Sequence, residues 1–233
     1  MIASRWSIAL AALLLAACGG RADEAPAAET MKAEAAAPER IEVAGPKRHI
    51  LAFGDSLFAG YGVGLAHSYP ARLEAALRQA GVNASIANAA VSGETSAAGA
   101  GRFAFALDTQ TVKPELILLE LGGNDLLRGL QPSETRANLA AMLGEAKRRG
   151  IKVLIMGMRA PPNNGPEFQG EFDALYGDLA RQYGASLVPF WLEAIYDKPQ
   201  LFQEDHLHPT IEGIDLLVED TLDEVRAALP TAG

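Results

Sequence analysis

Cysteine is almost missing from the sequence: Cys18 is the single one in 233 residues, which excludes an intramolecular disulfide. Histidine is nearly as scarce, with His49, His67, His206 and His208 in all. A metal at the one close pair would lack an evident third strong ligand. Basic blocks are absent too. Lys and Arg number 20 against 29 Asp and Glu, a net charge of -9, which argues against nucleic acid or an anionic membrane as the primary partner. No internal repeat is visible. The apolar stretch Trp6 to Ala17 falls short of the ~20 residues that cross a bilayer as a helix.

That stretch follows Arg5 and reads as the core of a signal peptide over residues 1–17. Leu15-Ala16-Ala17-Cys18 resembles the lipobox of bacterial lipoproteins, in which the cysteine is lipidated and heads the mature chain. The resemblance implies a membrane tether. Gly19 stands where those proteins carry an inner-membrane retention aspartate, which favours an outer-membrane anchor facing the periplasm; a soluble secreted protein is the alternative. Residues 18–47 are rich in Ala, Glu and Pro and nearly free of large apolar side chains, so they read as a flexible linker ahead of a domain at 48–233. Loss of residues 1–17 removes Arg5 and no acid, taking the charge from -9 to -10.

From Ile50 onward, short runs rich in Ile, Val and Leu alternate with segments of helical period. "HILAFG", "ASIANA", "ELILLEL", "KVLIMG" and "SLVPF" predict strands. "YPARLEAALRQAG" places Leu73, Ala76, Leu77 and Ala80 on one face and stops at Gly81. A second helix is expected to start on Ser133, with Leu139, Met142, Leu143 and Ala146 inward and Gly150 at its end. "EFDALYGDLARQYG" turns Phe172, Leu175 and Leu179 inward, and "TIEGIDLLVEDTLDEVRAAL" turns Ile214, Leu217, Thr221 and Val225 inward. Alternating strands and helices predict an α/β fold, a three-layer sandwich around a mainly parallel five-stranded sheet. Ligands of such sheets bind beyond the carboxyl ends of the strands.

Four polar clusters fall at those ends or in late loops: "GDSL" at 54–57, "SGETS" at 92–96, "GGND" at 122–125 and "DHLH" at 205–208. A serine hydroxyl needs a base within hydrogen-bond reach to become a nucleophile, and His208 is the candidate for Ser56. The imidazole in turn needs a carboxylate on its other nitrogen, and Asp205 lies three residues before it. The chain has no Gly-x-Ser-x-Gly, the serine motif of α/β-hydrolases. Taken in order, Ser56, Gly93, Asn124 and His208 are the block residues of the SGNH, or GDSL, hydrolases. "AFGDSLFAGYG", "NAAVSGETSAAG", "LELGGND", "MRAPPNNG" and "YDKPQLFQEDHLHP" resemble the thioesterase, lysophospholipase and arylesterase branch of that family.

The resemblance implies a flavodoxin-like SGNH fold and an esterase working through an acyl-enzyme. It assigns catalysis to Ser56, Asp205 and His208 and the oxyanion hole to the N–H groups of Ser56 and Gly93 and the Asn124 amide. It implies no cofactor and a small acyl ester, thioester or lysophospholipid as partner; a monomer is expected. Met158, Pro161, Pro162 and Leu207 are candidates for an apolar substrate wall, and the segment at 159–170 for a flap. Asp55 and Asp125 read as carboxylates capping backbone N–H groups, His206 as a loop residue, and Phe103, Phe105, Trp191 and Ile195 as packing. Three alternatives stay open: a carbohydrate O-deacetylase of the same fold, a lipoprotein binding module without catalysis, and a phosphate-binding turn after the first strand. The last lacks a lysine and leaves Asn124 and His208 without a role.

Overall fold

The computed structural model describes residues 41–231. The signal peptide, Cys18 and most of the linker expected before the domain therefore lie outside the described residues. Five strands form the sheet: β1 (Arg48–Gly54), β2 (Ala84–Asn88), β3 (Leu116–Glu120), β4 (Lys152–Met156) and β5 (Ser186–Val188). Their order is β2-β1-β3-β4-β5 and every pairing is parallel. Strand β3 is buried along its whole length, as expected of a central strand covered on both faces.

Seven helices complete the domain: α1 (Ser56–Ala59), α2 (Tyr69–Gln79), α3 (Ser96–Asp108), α4 (Gly123–Leu127), α5 (Pro132–Arg148), α6 (Pro166–Tyr183) and α7 (Ile211–Ala228). Helix α2 packs on α7, while α3, α5 and α6 pack side by side, so the sheet lies between two helical layers. This is the expected three-layer α/β/α sandwich. The inward residues expected for α5, α6 and α7 are all buried.

Several local expectations change. In α2, Leu73 and Leu77 are buried but Ala76 is only half-buried and Ala80 is exposed. Arg78 takes the inner position instead, because its guanidinium finds the carbonyls of Ile41 and Ala84 at 2.6 and 2.8 Å and the Asn83 side chain at 3.1 Å. Helix α5 begins at Pro132, with Ser133 inside its first turn; the Gln131 N–H donates to Glu134 Oε2 at 3.2 Å, half of a capping box. Helix α6 begins at Pro166, five residues before the expected segment starts at Glu171, so the latter half of the expected flap is helix. Helix α3 has no counterpart among the predicted elements. Phe105 on it is 70% exposed, not packed, whereas Phe103, Trp191 and Ile195 are buried.

The end of the expected linker rests on the domain: besides the Arg78 contact with Ile41, the Asn83 amide donates to the Gly45 carbonyl at 2.8 Å. No described helix is long and apolar enough to cross a membrane.

Candidate active site

Strands β1 and β3 are neighbours from which the chain departs in opposite directions, a topological switch point where ligands of open parallel sheets bind. Asp55 and Ser56 follow β1 at that point, and Asn124 follows β3. Asp55 caps α1, its Oδ1 accepting the Leu57 N–H at 3.0 Å, which presents Ser56 as the first residue of the helix.

The turn after α1 needs glycine for a definite reason. Gly62 has φ +72°, and a Cβ there would lie 2.0 Å from Oε1 of Gln203. Gln203 belongs to the loop before α7. Its amide donates to the carbonyls of Tyr61 and Pro209 at 2.8 and 2.9 Å, and its own N–H donates to the His208 carbonyl at 2.7 Å. The glycine turn and the histidine loop are thus laced together over a span of sequence that no local pattern connects.

Within that loop His206 adopts φ +57°, which folds the chain back so that Asp205 and His208 meet. Asp205 Oδ1 accepts the N–H groups of Leu207 and His208 at 2.9 and 3.0 Å, and Oδ2 lies 2.6 Å from His208 Nδ1. A carboxylate at Nδ1 selects the tautomer protonated there and leaves Nε2 as an acceptor. Nε2 lies 2.8 Å from Ser56 Oγ. The Tyr61 ring covers the imidazole, with centroids 4.2 Å apart. Burial pushes the Asp205 carboxyl up, but the N–H of His208, its ring and the N–H of Leu207 outweigh that and hold the pKa at about 2.

Gly93 has φ +78°, and its carbonyl accepts from Arg128 Nη2 at 2.8 Å. Asn124 is the second residue of α4; one amide hydrogen goes to Asp55 Oδ2 at 2.9 Å. Gly122 just before it has φ +122°, where a Cβ would lie 2.2 Å from the Tyr176 hydroxyl. Asp125 is fully buried and accepts from the Ser96 N–H at 2.8 Å, the Ser96 hydroxyl and Thr135 Oγ1 at 3.0 Å, tying α4 to α3 and α5.

Beside these groups opens a cleft of about 850 Å³, lined by Ser56, Gly93, Asn124 and His208 and walled by Leu57, Leu126, Leu127, Phe190, Leu192 and Phe202. Met158, Pro161 and Leu207 line it as well; Pro162 is exposed and stands outside the lining. His206 is exposed at the rim, His49 is the second residue of β1, at the far end of the strand from Ser56, and His67 is buried in the turn Leu65–His67. The segment after β4 is pinned to α6, since the Ala160 N–H donates to Asp173 at 2.8 Å and Gln169 donates to the Ala160 carbonyl at 3.1 Å.

Sequence reading missed Tyr61, Gln203 and Glu120. Glu120 ends β3 with no exposure and accepts the Asp55 N–H at 3.2 Å. Burial, and then the Asp55 charge, raise its carboxyl well above the usual range. Burial pushes Asp55 up as well, opposed by the Leu57 N–H and the Asn124 amide.

Known proteins resemble the chain along most of the described domain. Over 171 residues it is 38% identical to Esterase TesA of Pseudomonas aeruginosa, covering 73% of this chain and 84% of that protein. Thioesterase 1/protease 1/lysophospholipase L1 of Escherichia coli K12 is 38% identical over 160 residues, 69% of this chain and 74% of that one. The crystal structure of AlinE4, an SGNH-hydrolase family esterase, is 58% identical, superposes with a TM-score of 0.68, and is covered completely by 81% of this chain. Two further AlinE4 structures carry alanine for a serine and for an aspartate whose separation along that chain equals that of Ser56 and Asp205 here. The pattern of the GDSL-like lipase/acylhydrolase family matches residues 52–216, from within β1 to within α7, and the chain belongs to that family.

Proposed function

We propose that Ser56, His208 and Asp205 carry out ester hydrolysis in this carboxylic ester hydrolase. Ser56 Oγ attacks the acyl carbon while Nε2 of His208 takes its proton, and Asp205 stabilises the imidazolium formed. The oxyanion is held by the N–H groups of Ser56 and Gly93 and by the free amide hydrogen of Asn124. Collapse passes the proton from Nε2 to the departing alcohol or thiol and leaves Ser56 acylated. Water, deprotonated by the same nitrogen, then releases the acid and regenerates Ser56. The observation that carries this reading is the unbroken relay of 2.6 and 2.8 Å from Asp205 through His208 to Ser56.

The apolar walls of the cleft support an acyl ester or thioester, lysophospholipid included, over an acetylated sugar, with Met158, Pro161 and Leu207 in contact with the acyl group. p-Nitrophenyl esters from acetate to palmitate, offered to wild type and Ser56→Ala, test both points. Serine-dependent turnover that rises beyond acetate is expected. Activity surviving in a folded Ser56→Ala would sink the assignment, and a preference for acetylated sugars would move it to the deacetylase. For location, the Leu15-Ala16-Ala17-Cys18 motif supports a periplasmic protein lipidated at Cys18 and tethered to the outer membrane. Cys18→Ser is expected to leave the membrane fraction; a variant that stays there counts against the tether.

A further inference from the structure

Beneath the oxyanion side of the cleft lie two carboxyls that the catalytic cycle does not use. Asp55 is 1% exposed and Glu120 is 0% exposed. They come together because Gly54 and Glu120 are register partners on β1 and β3, and the Glu120 side chain folds across the neighbouring strand. Only glycine at 54 allows this, since a Cβ would lie 2.7 Å from both Oε2 and the carbonyl oxygen of Glu120. No Lys or Arg pairs with either carboxyl among the described residues. The titratable groups that interact with the pair are His208 from the loop before α7 and Tyr176 from α6, whose hydroxyl also feels Asp125 and Asp173.

The hydrogen bonds divide the two carboxyls unequally. Asp55 accepts twice, from Leu57 on Oδ1 at 3.0 Å and from Asn124 on Oδ2 at 2.9 Å. Glu120 accepts once, from the Asp55 N–H on Oε2 at 3.2 Å, and its buried Oε1 has no partner. Two adjacent buried carboxylates without a cation cannot both ionise, and the charge settles where the donors are. We propose that Glu120 is a positioning residue that holds the proton of this pair, keeps Asp55 ionised, and so fixes the Asn124 amide with its second hydrogen turned to the oxyanion. A charge-assisted bond holds an amide more firmly than a neutral one.

The inference rests on Asn124 being an oxyanion donor, and the test separates the two. Glu120→Gln replaces a neutral acid by a neutral amide of the same shape, whereas Glu120→Ala removes the partner of Asp55. Expected is a fall in kcat of about tenfold or more with little change in KM for Glu120→Ala, and recovery to within about threefold in Glu120→Gln. A folded Glu120→Gln as impaired as Glu120→Ala, or a Glu120→Ala with wild-type kcat, overturns the proposal. Infrared spectroscopy at pH 8 decides if Glu120→Ala does not fold. The carbonyl band of a protonated carboxylic acid should be present in the wild type and gone in Glu120→Gln; a wild type without the band, or a band that persists in the variant, overturns the shared proton. Asn124→Ala with undiminished kcat would overturn the oxyanion assignment alone and leave that band in place.

Discussion

A hydrogen bond that orients a side chain and one that binds an oxyanion leave different signatures, and Asn124 makes the first and is proposed for the second. Removing a single oxyanion donor costs roughly 10²- to 10³-fold in kcat. Asn124→Ala is expected in that range, with KM nearly unchanged, in steady-state ester hydrolysis. Asp205→Asn should cost more, about 10⁴-fold, because an amide at Nδ1 can favour the wrong tautomer. Acidification, by contrast, does not act through Asp205 until very low pH. Its carboxyl is held at about pKa 2 by the N–H groups and imidazole around it, so it remains charged throughout any practical assay. The acid limb of kcat/KM in the wild type should therefore lie well above pH 2 and follow the base that must be unprotonated to accept from Ser56. A limb near pH 2 would reassign that base.

Among the elements, those whose residues answer to their immediate neighbours were legible from the chain. Strands β1, β3 and β4 appear as apolar runs because a two-sided parallel sheet buries both faces, while the edge strands β2 and β5 are only partly buried, and α5, α6 and α7 appear through their apolar stripes. Helix α3 escaped because "SAAGAGRFAFALD" carries small residues and two glycines in place of a stripe. Ser56, Gly93, Asn124, Asp205 and His208 were legible as polar clusters at strand ends or in late loops. Glu120 was not, since a glutamate inside "ELILLEL" shows its purpose only when register places it across from Gly54. Gln203 is similar: its value lies in joining two loops far apart in sequence. Two hydrogen bonds from its amide fix the turn at Tyr61 and the loop at Pro209 just before α7, each worth about 0.5–1.5 kcal/mol net. Gln203→Ala should accordingly lower Tm by a few degrees and kcat by up to about 10²-fold, because a histidine displaced by about 1 Å loses its alignment with the serine. Thermal melts read beside kcat separate the two effects; a loss of stability with kcat intact would show that the loop holds its shape without Gln203.

For the whole molecule, the buried pair predicts how stability varies with pH, and the sign can be worked out. Glu120 has its folded pKa raised above its unfolded value of about 4.3. Its contribution is fully present below about pH 4.3 and is lost as pH climbs toward the folded pKa, because the unfolded chain releases a proton that the folded one keeps. Asp205 acts in the opposite sense. Its depressed pKa contributes stability above its unfolded value of about 3.9, which is lost as pH falls toward about 2. Between these limits the domain should be most stable in mild acid and weaken through neutrality. General repulsion in a chain of net charge -9 also grows as pH rises, so the wild type alone does not isolate the pair. Glu120→Gln does, because it carries nearly the same surface and cannot release that proton. Its Tm relative to wild type should be lowest near pH 5 and increase steadily toward pH 8, by an amount set by how far the Glu120 pKa lies above 4.3. A difference that stays flat from pH 5 to pH 8 would mean that Glu120 is ionised in the folded protein, and the shared proton would have no place in the site.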